Sequence, residues 1–257
     1  MFSKYYVLYL ASHHLPKPIT LSMNYNFLAY LLSFSLSFTS NTKILTTPVF
    51  LAKNTEVSVE KKVDFFYSSL KIKNFTAPKL QSFSEALNGF YALKAKGIIT
   101  KNILTLIDFS LPSTAKRLWV IDMATNTVLF NTVVSHGINS GGEFATSFSN
   151  LQSSNKSSLG FYATGESYIG KHGFSLKLDG LEKGINSNAR ARAVVVHGAD
   201  YANPSILNSQ GYLGRSQGCP ALPENLSKQI ISVIKGKSCL FIYHPSRISK
   251  FTKALIS

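Results

Sequence analysis

Residues 194–223 read VVVHGADYANPSILNSQGYLGRSQGCPALP. The opening valines are β-branched and apolar, the pattern of a buried strand, and the run ends at His197-Gly198. A loop then leads to Ser216-Gln217-Gly218-Cys219-Pro220. A histidine and a cysteine in one such unit have a chemical reading. The thiolate is the reactive form of cysteine, and a thiol of pKa about 8.5 is only a few per cent ionised at neutral pH. A histidine within hydrogen-bond reach takes the thiol proton and later returns it to a leaving amine. A strand end fixes where that histidine stands. Gly218 lets the backbone turn sharply ahead of the sulfur and brings peptide N–H groups near it, where they can hold an oxyanion. Pro220 stiffens the exit and donates no N–H, which leaves Cys219, Gly218 and their neighbours as donors.

The chain before this unit reads as short strands. ILTLID (103–108) is followed by RLWVID (117–122), the turn Ala124-Thr125-Asn126 and TVLFNTVV (127–134), the last two runs forming a β-hairpin. A Gly- and Ser-rich loop (137–158) reads as a mobile connection. Further strands are expected at LGFYAT (159–164), FSLKL (174–178), ARAVVVHG (191–198) and CLFIYH (239–244), with one helix between 224 and 235 that starts after Pro223. The sum is a mainly β (α+β) domain, a sandwich or partly closed barrel rather than a parallel α/β sheet. Two helices precede it. Val59, Val63, Phe66 and Leu70 recur at helical spacing, and Ser82 with Glu85 forms a capping-box pattern ahead of Ala86, Leu87, Phe90 and Tyr91, with a stop at Gly97. The expected organisation is a helical segment at 53–100, a catalytic domain at 101–246 and a tail at 247–257.

The first 52 residues read as a signal peptide and leader. FLAYLLSFSLSF (27–38) is too short to span a bilayer and suits the apolar region of an export signal, so no stable membrane span is expected after its removal. Met23, just upstream, is an alternative start. The formal net charge is +15, from 27 Lys+Arg against 12 Asp+Glu, which favours an anionic partner. Nucleic acid is not that partner: there is no block of consecutive Lys/Arg, no basic helix and no aromatic RNA-binding signature. Two cysteines exclude a disulfide scaffold and a four-cysteine metal site. No His/Cys/Asp cluster has zinc spacing, so neither metal nor cofactor is expected.

The motifs resemble the YkuD-like L,D-transpeptidase family, and more closely its divergent subfamily of murein L,D-transpeptidase catalytic-domain proteins. The resemblance runs from about Ser84 to Tyr243 through LIDFS…KRLWVID…VLFN, SSLGFYATGESYIGKHG and HGADY…LGRSQGCPALP. A His-Gly pair alone is a weak signal; joined to the Ser-x-Gly-Cys turn and the preceding strand order it is a specific one. The resemblance implies a mostly β catalytic domain in which Cys219 is the nucleophile and His197 the general base. Ser216 and Gly218 would support the histidine and shape the oxyanion hole. It implies two acyl-transfer steps on peptidoglycan stem peptides: attack on an L,D-peptide bond, then resolution of the thioester by an amine or by water. The place of action would be the periplasm or cell envelope of a bacterium.

Two positions depart from the family pattern. Gln217 stands where many relatives have histidine, and Ala221 where they have arginine or asparagine. Arg215, Arg192 or Arg190 is then the candidate for the substrate-carboxylate contact. Gly198 and Gln217 are expected at the substrate, and Tyr168 and His172, with Lys171, at a groove or flap. Asp200 is a candidate to orient His197, Cys239 reads as a buried structural thiol, and His136-Gly137 as a strand end without a nucleophile. The competing class is a catalytically silent wall-binding module, kept open by Gln217 and Ala221. A papain- or NlpC-type protease is disfavoured because there the cysteine precedes the histidine.

Overall fold

The computed structural model describes residues 59–247; the expected leader at 1–52 and all of the tail beyond Arg247 lie outside the described residues. The strands are β1 (Ile103–Asp108), β2 (Leu118–Asp122), β3 (Thr127–Thr132), β4 (Gly160–Gly170), β5 (Gly173–Gly180), β6 (Val195–Ala199), β7 (Ala221–Pro223) and β8 (Cys239–Tyr243). They form one eight-stranded sheet in the order β3-β2-β1-β8-β4-β5-β6-β7, antiparallel except for β1–β8 and β6–β7. Beyond β3 the chain continues as a bridge from Ser135 to Ala221 and another from Gly137 to Ser216. These bridges bring the two sheet edges together, and the sheet is a nearly closed barrel, as the mainly β reading expects.

Continuous apolar runs form the central strands because both of their faces are covered. Along β1, β2 and β8, Leu104, Leu106, Trp119, Ile121, Cys239 and Phe241 face the helices α1 (Val59–Ser68) and α2 (Leu80–Ala95). Their neighbours Ile107, Leu118, Val120, Leu240 and Ile242 face the interior, where Ile230, Ile231 and Ile234 of helix α4 (Glu224–Ile234) pack. Helix α2 therefore shares its core with the sheet. Its Gly89 lies so close to β4 that an added Cβ would stand 1.9 Å from the Phe161 ring.

Two local expectations need correction. The Ser82/Glu85 capping box does not form: α2 starts at Leu80 behind Lys79, Ser82 is buried with its hydroxyl donating to Lys79 O at 3.1 Å, and Glu85 accepts from Arg247 Nη1 at 3.0 Å. Gly97, at φ 68°, does end the helix. The expected strands 159–164 and 174–178 are parts of one long hairpin, with Tyr168 opposite Ser175 and Gly170 opposite Gly173. Lys171 and His172 form its two-residue turn. The short β7 and the one-turn helix α3 (Leu207–Gln210) were not anticipated.

Candidate active site

The side-chain alternation of β6 sends Val194 and Val196 into the barrel interior and turns Val195 and His197 toward a cleft on the other side. His197 is 1% exposed and sits in the sheet between Ser175 of β5 and Ala221 of β7. Its Nδ1 lies 2.8 Å from Gly198 O. A carbonyl can only accept, so the Nδ1 carries the proton and Nε2 is left as the basic atom. One ring face is covered by His172 of the hairpin turn, with centroids 4.3 Å apart and planes 23° apart. Burial pushes the His197 pKa down, His172 and Lys171 push it the same way, and the Gly198 carbonyl opposes them. Gly198 itself does not line the cleft: a Cβ there would stand 2.5 Å from Ser227 Oγ, so it is required for packing against α4. Asp200 does not orient His197; its Oδ1 accepts from the Tyr201 amide.

The turn before the sulfur is tied from within and from below. Ser216 Oγ accepts from Gly218 N at 3.0 Å and donates to Cys219 O at 2.6 Å. Its hydroxyl thus closes the turn, and among the described residues no hydrogen bond joins it to His197, which the resemblance implies it supports. Gly218 has φ 120°, and a Cβ there would stand 2.8 Å from Lys156 O, so no other residue fits. Beneath it, Ser157 Oγ donates to Gly218 O at 3.2 Å and accepts from Gly137 N at 3.0 Å. Ser216 N donates to His136 O, and Ile138 N to Ser216 O. The Gly/Ser loop read as a mobile connection is thus hydrogen-bonded to the Cys219 turn and acts as its floor. Gly218 N is engaged by Ser216, whereas Gln217 N and Cys219 N have no hydrogen-bond partner among the described residues.

The Cys219 thiol is partly exposed. The Val195 amide donates to Sγ at 3.4 Å, and the thiol points at Ala193 O at 3.8 Å. Burial raises its pKa above the ordinary value, against the Val195 amide, Arg192 and Lys171, which favour the thiolate. No hydrogen bond joins it to His197 among the described residues; such bonds are often long before substrate enters. Burial thus favours the uncharged forms of both Cys219 and His197. Cys239 is fully buried and free, with its pKa pushed far up by burial.

His197 and Cys219 open onto one cleft of about 530 Å³, lined also by Tyr168, Lys171, His172, Arg192, Tyr201, Arg215, Ser216 and Gln217. No Asp or Glu lines it. The three candidate arginines separate. Arg190 lies outside the cleft, paired with Glu166 at 3.1 Å and with Asp179. Arg192 is held by Ser149 O at 2.8 Å and Lys156 O at 2.6 Å, bracing the loop. Arg215 uses Nη1 on Gly141 O at 3.2 Å and stacks on Tyr212, leaving its remaining donors without partners among the described residues. Ala221 is fully buried within the sheet, in parallel register with His197. Tyr201, whose hydroxyl pKa is pushed up to about 12 by burial and by Cys219, had no signal of its own beyond its place in HGADY. Among the described residues no group of three His, Cys, Asp or Glu side chains stands close enough to hold a metal, and no helix is long and apolar enough to cross a membrane.

Several solved structures are similar. An L,D-transpeptidase from Mycobacterium smegmatis is 14% identical over 56% of this chain and 59% of its own, with TM-score 0.35. A helical cell shape determining protein from Campylobacter jejuni is 16% identical over 67% of this chain and 60% of its own, with TM-score 0.39. An L,D-transpeptidase from Enterococcus faecium is 11% identical over 56% and 50%, with TM-score 0.35. The chain thus spans less than two thirds of the length of each. No curated protein matches. A family model described as the L,D-transpeptidase catalytic domain matches residues 76–243, well over half of the sequence, and the chain belongs to that family.

Proposed function

We propose that this protein is a peptidoglycan-modifying cysteine acyltransferase, an L,D-transpeptidase or L,D-carboxypeptidase that forms a thioester on Cys219 with His197 as general base. The observation that carries it is that parallel pairing of β6 with β7 brings His197 and the Cys219 turn to one cleft, with unpartnered amides beside the sulfur. The thiol adds to the carbonyl of an L,D-peptide bond in a stem peptide while His197 Nε2 takes its proton. The developing oxyanion accepts from Cys219 N and Gln217 N. The C–N bond then breaks, and the departing D-amino acid leaves with the proton carried by His197. An amine of a second stem, or water, attacks the thioester, gives its proton to His197 and frees the thiol. Tyr168, Arg215 and Gln217 line the stem-peptide site, Arg215 taking a carboxylate in place of a cation at Ala221. No cofactor enters. Such a substrate lies in a bacterial envelope, in keeping with the net charge of +15 and the export reading of residues 1–52.

The test is incubation with purified tetrapeptide muropeptides followed by mass analysis. Loss of the terminal D-amino acid is the expected result, and dimeric products would identify a transpeptidase. Folded protein that binds muropeptides without turning them over would instead identify a silent wall-binding module.

A further inference from the structure

The hairpin β4–β5 extends past the core and sets its two-residue turn over the site. Little of its tip serves the core: Ile169 beside the turn is 78% exposed, while Phe174 opposite it packs partly against the core. The contact that the turn does make inward is the imidazole of His172 on the imidazole of His197, nearly parallel and 4.3 Å between centroids. The other constraint on the His197 ring is the Gly198 carbonyl at its Nδ1 edge. A carbonyl at one edge fixes direction but leaves the ring free to rock about that bond. A flat group on the face removes that freedom.

We infer that His172 is a positioning residue: stacked on His197, it fixes the plane of the catalytic base and holds that base uncharged for the thiol. This rests on the reading of His197 as the base. Two stacked imidazoles resist carrying two charges, so His172 disfavours the charged form of His197. Burial, His172 and Lys171 disfavour a protonated His197, against the Gly198 carbonyl. Lys171 comes from the same turn, Arg192 and Arg215 from two loops of the cleft wall, and Tyr168, Tyr201 and the Cys219 thiol complete the surroundings, with no carboxylate among them. Ser175 lies opposite His197 on β5 and is uncharged. A base protonated at rest could not accept from Cys219, whose own pKa is raised. Keeping His197 neutral is therefore a requirement of the site, and the hairpin turn supplies part of it.

The test compares His172→Ala with His172→Phe, which keeps a flat ring on His197 but cannot take a proton. The readouts are the acylation rate of Cys219 by a carbapenem and the imidazole titration of His197 followed by NMR. Acylation at neutral pH should fall about tenfold in His172→Ala, the size of one modest positioning contact, and recover in His172→Phe. The His197 titration should move to higher pH in both variants, further in alanine, which also lets water in. A merely structural or substrate-contacting His172 would not move that titration. Unchanged titration and acylation in His172→Ala, or a phenylalanine variant no faster than alanine, would overturn the inference. If the wild type is not acylated at all, the acyltransferase reading fails, while the NMR titration still decides whether His172 governs the His197 ring.

Discussion

Two of the chain's three His-Gly pairs, His136-Gly137 and His197-Gly198, have a buried histidine, and their surroundings differ. Both histidines are almost completely buried. His136 lies 2.8 Å from Arg117 Nη2 at one ring nitrogen and 3.3 Å from Gly141 O at the other, so both nitrogens are engaged. Burial, and then the Arg117 charge, pull its pKa down to about 4. Its backbone oxygen holds Ser216 N, and Gly137 N holds Ser157 under the Cys219 turn. His197 has one nitrogen bound to the carbonyl of its own glycine and the other directed at a cleft that also contains the thiol. The same dipeptide thus stands in two settings: both ring nitrogens of His136 are engaged, while Nε2 of His197 has no hydrogen-bond partner among the described residues.

The comparison breaks first at the catalytic pair. Cys219→Ser or His197→Ala should abolish stem-peptide turnover, a loss on the order of a thousandfold or more, measured by release of the terminal D-amino acid with the fold intact by circular dichroism. His136→Phe should act on stability instead. A histidine whose folded pKa is about 4 against 6.5 unfolded binds its proton more readily when unfolded. Its contribution is therefore full above pH 6.5 and is lost as pH falls toward about 4, amounting to about 3 kcal/mol. Thermal unfolding measured across that window should show a steep acid slope in the wild type and a flatter one in the variant. Ser157→Ala removes one hydroxyl from the floor of the turn; acylation should slow about tenfold for a stability cost of about 1 kcal/mol. The smallest effect distinguishes the arginines: Arg215→Ala should raise KM for stem peptides several-fold with kcat little changed, and Arg190→Ala should change neither.

The same contrast explains what was legible in the sequence. The strands of the barrel are visible as apolar runs because β1, β2, β4 and β8 are covered on both faces. His197 and Cys219 are visible because a strand-ending histidine and a glycine-preceded cysteine are chemically specific together. The reach of the β4–β5 hairpin is not, since GESYIG buries little, and the Glu166 pairs with Lys177 and Arg190 that tie it join residues distant in sequence. Ser82 and Glu85 mimic a helix cap but serve the core and Arg247. The loop 137–158 looks mobile by composition, yet Ser140 ties its two ends together through the Ser157 amide and Ser157 bonds to Gly218 of a distant segment, partnerships that short-range pattern does not reveal. Likewise Ser216 matches the motif residue for residue, while the atoms it touches belong to its own turn.

The central claim is that Cys219 becomes acylated with the help of His197. Intact-mass analysis of the full chain incubated with a carbapenem, beside Cys219→Ser and His197→Ala, tests it directly. The account predicts one adduct on the wild type, none on the serine variant and a strongly slowed adduct on the alanine variant. An adduct that forms equally fast without His197, or folded wild-type protein that never acquires one, would contradict it.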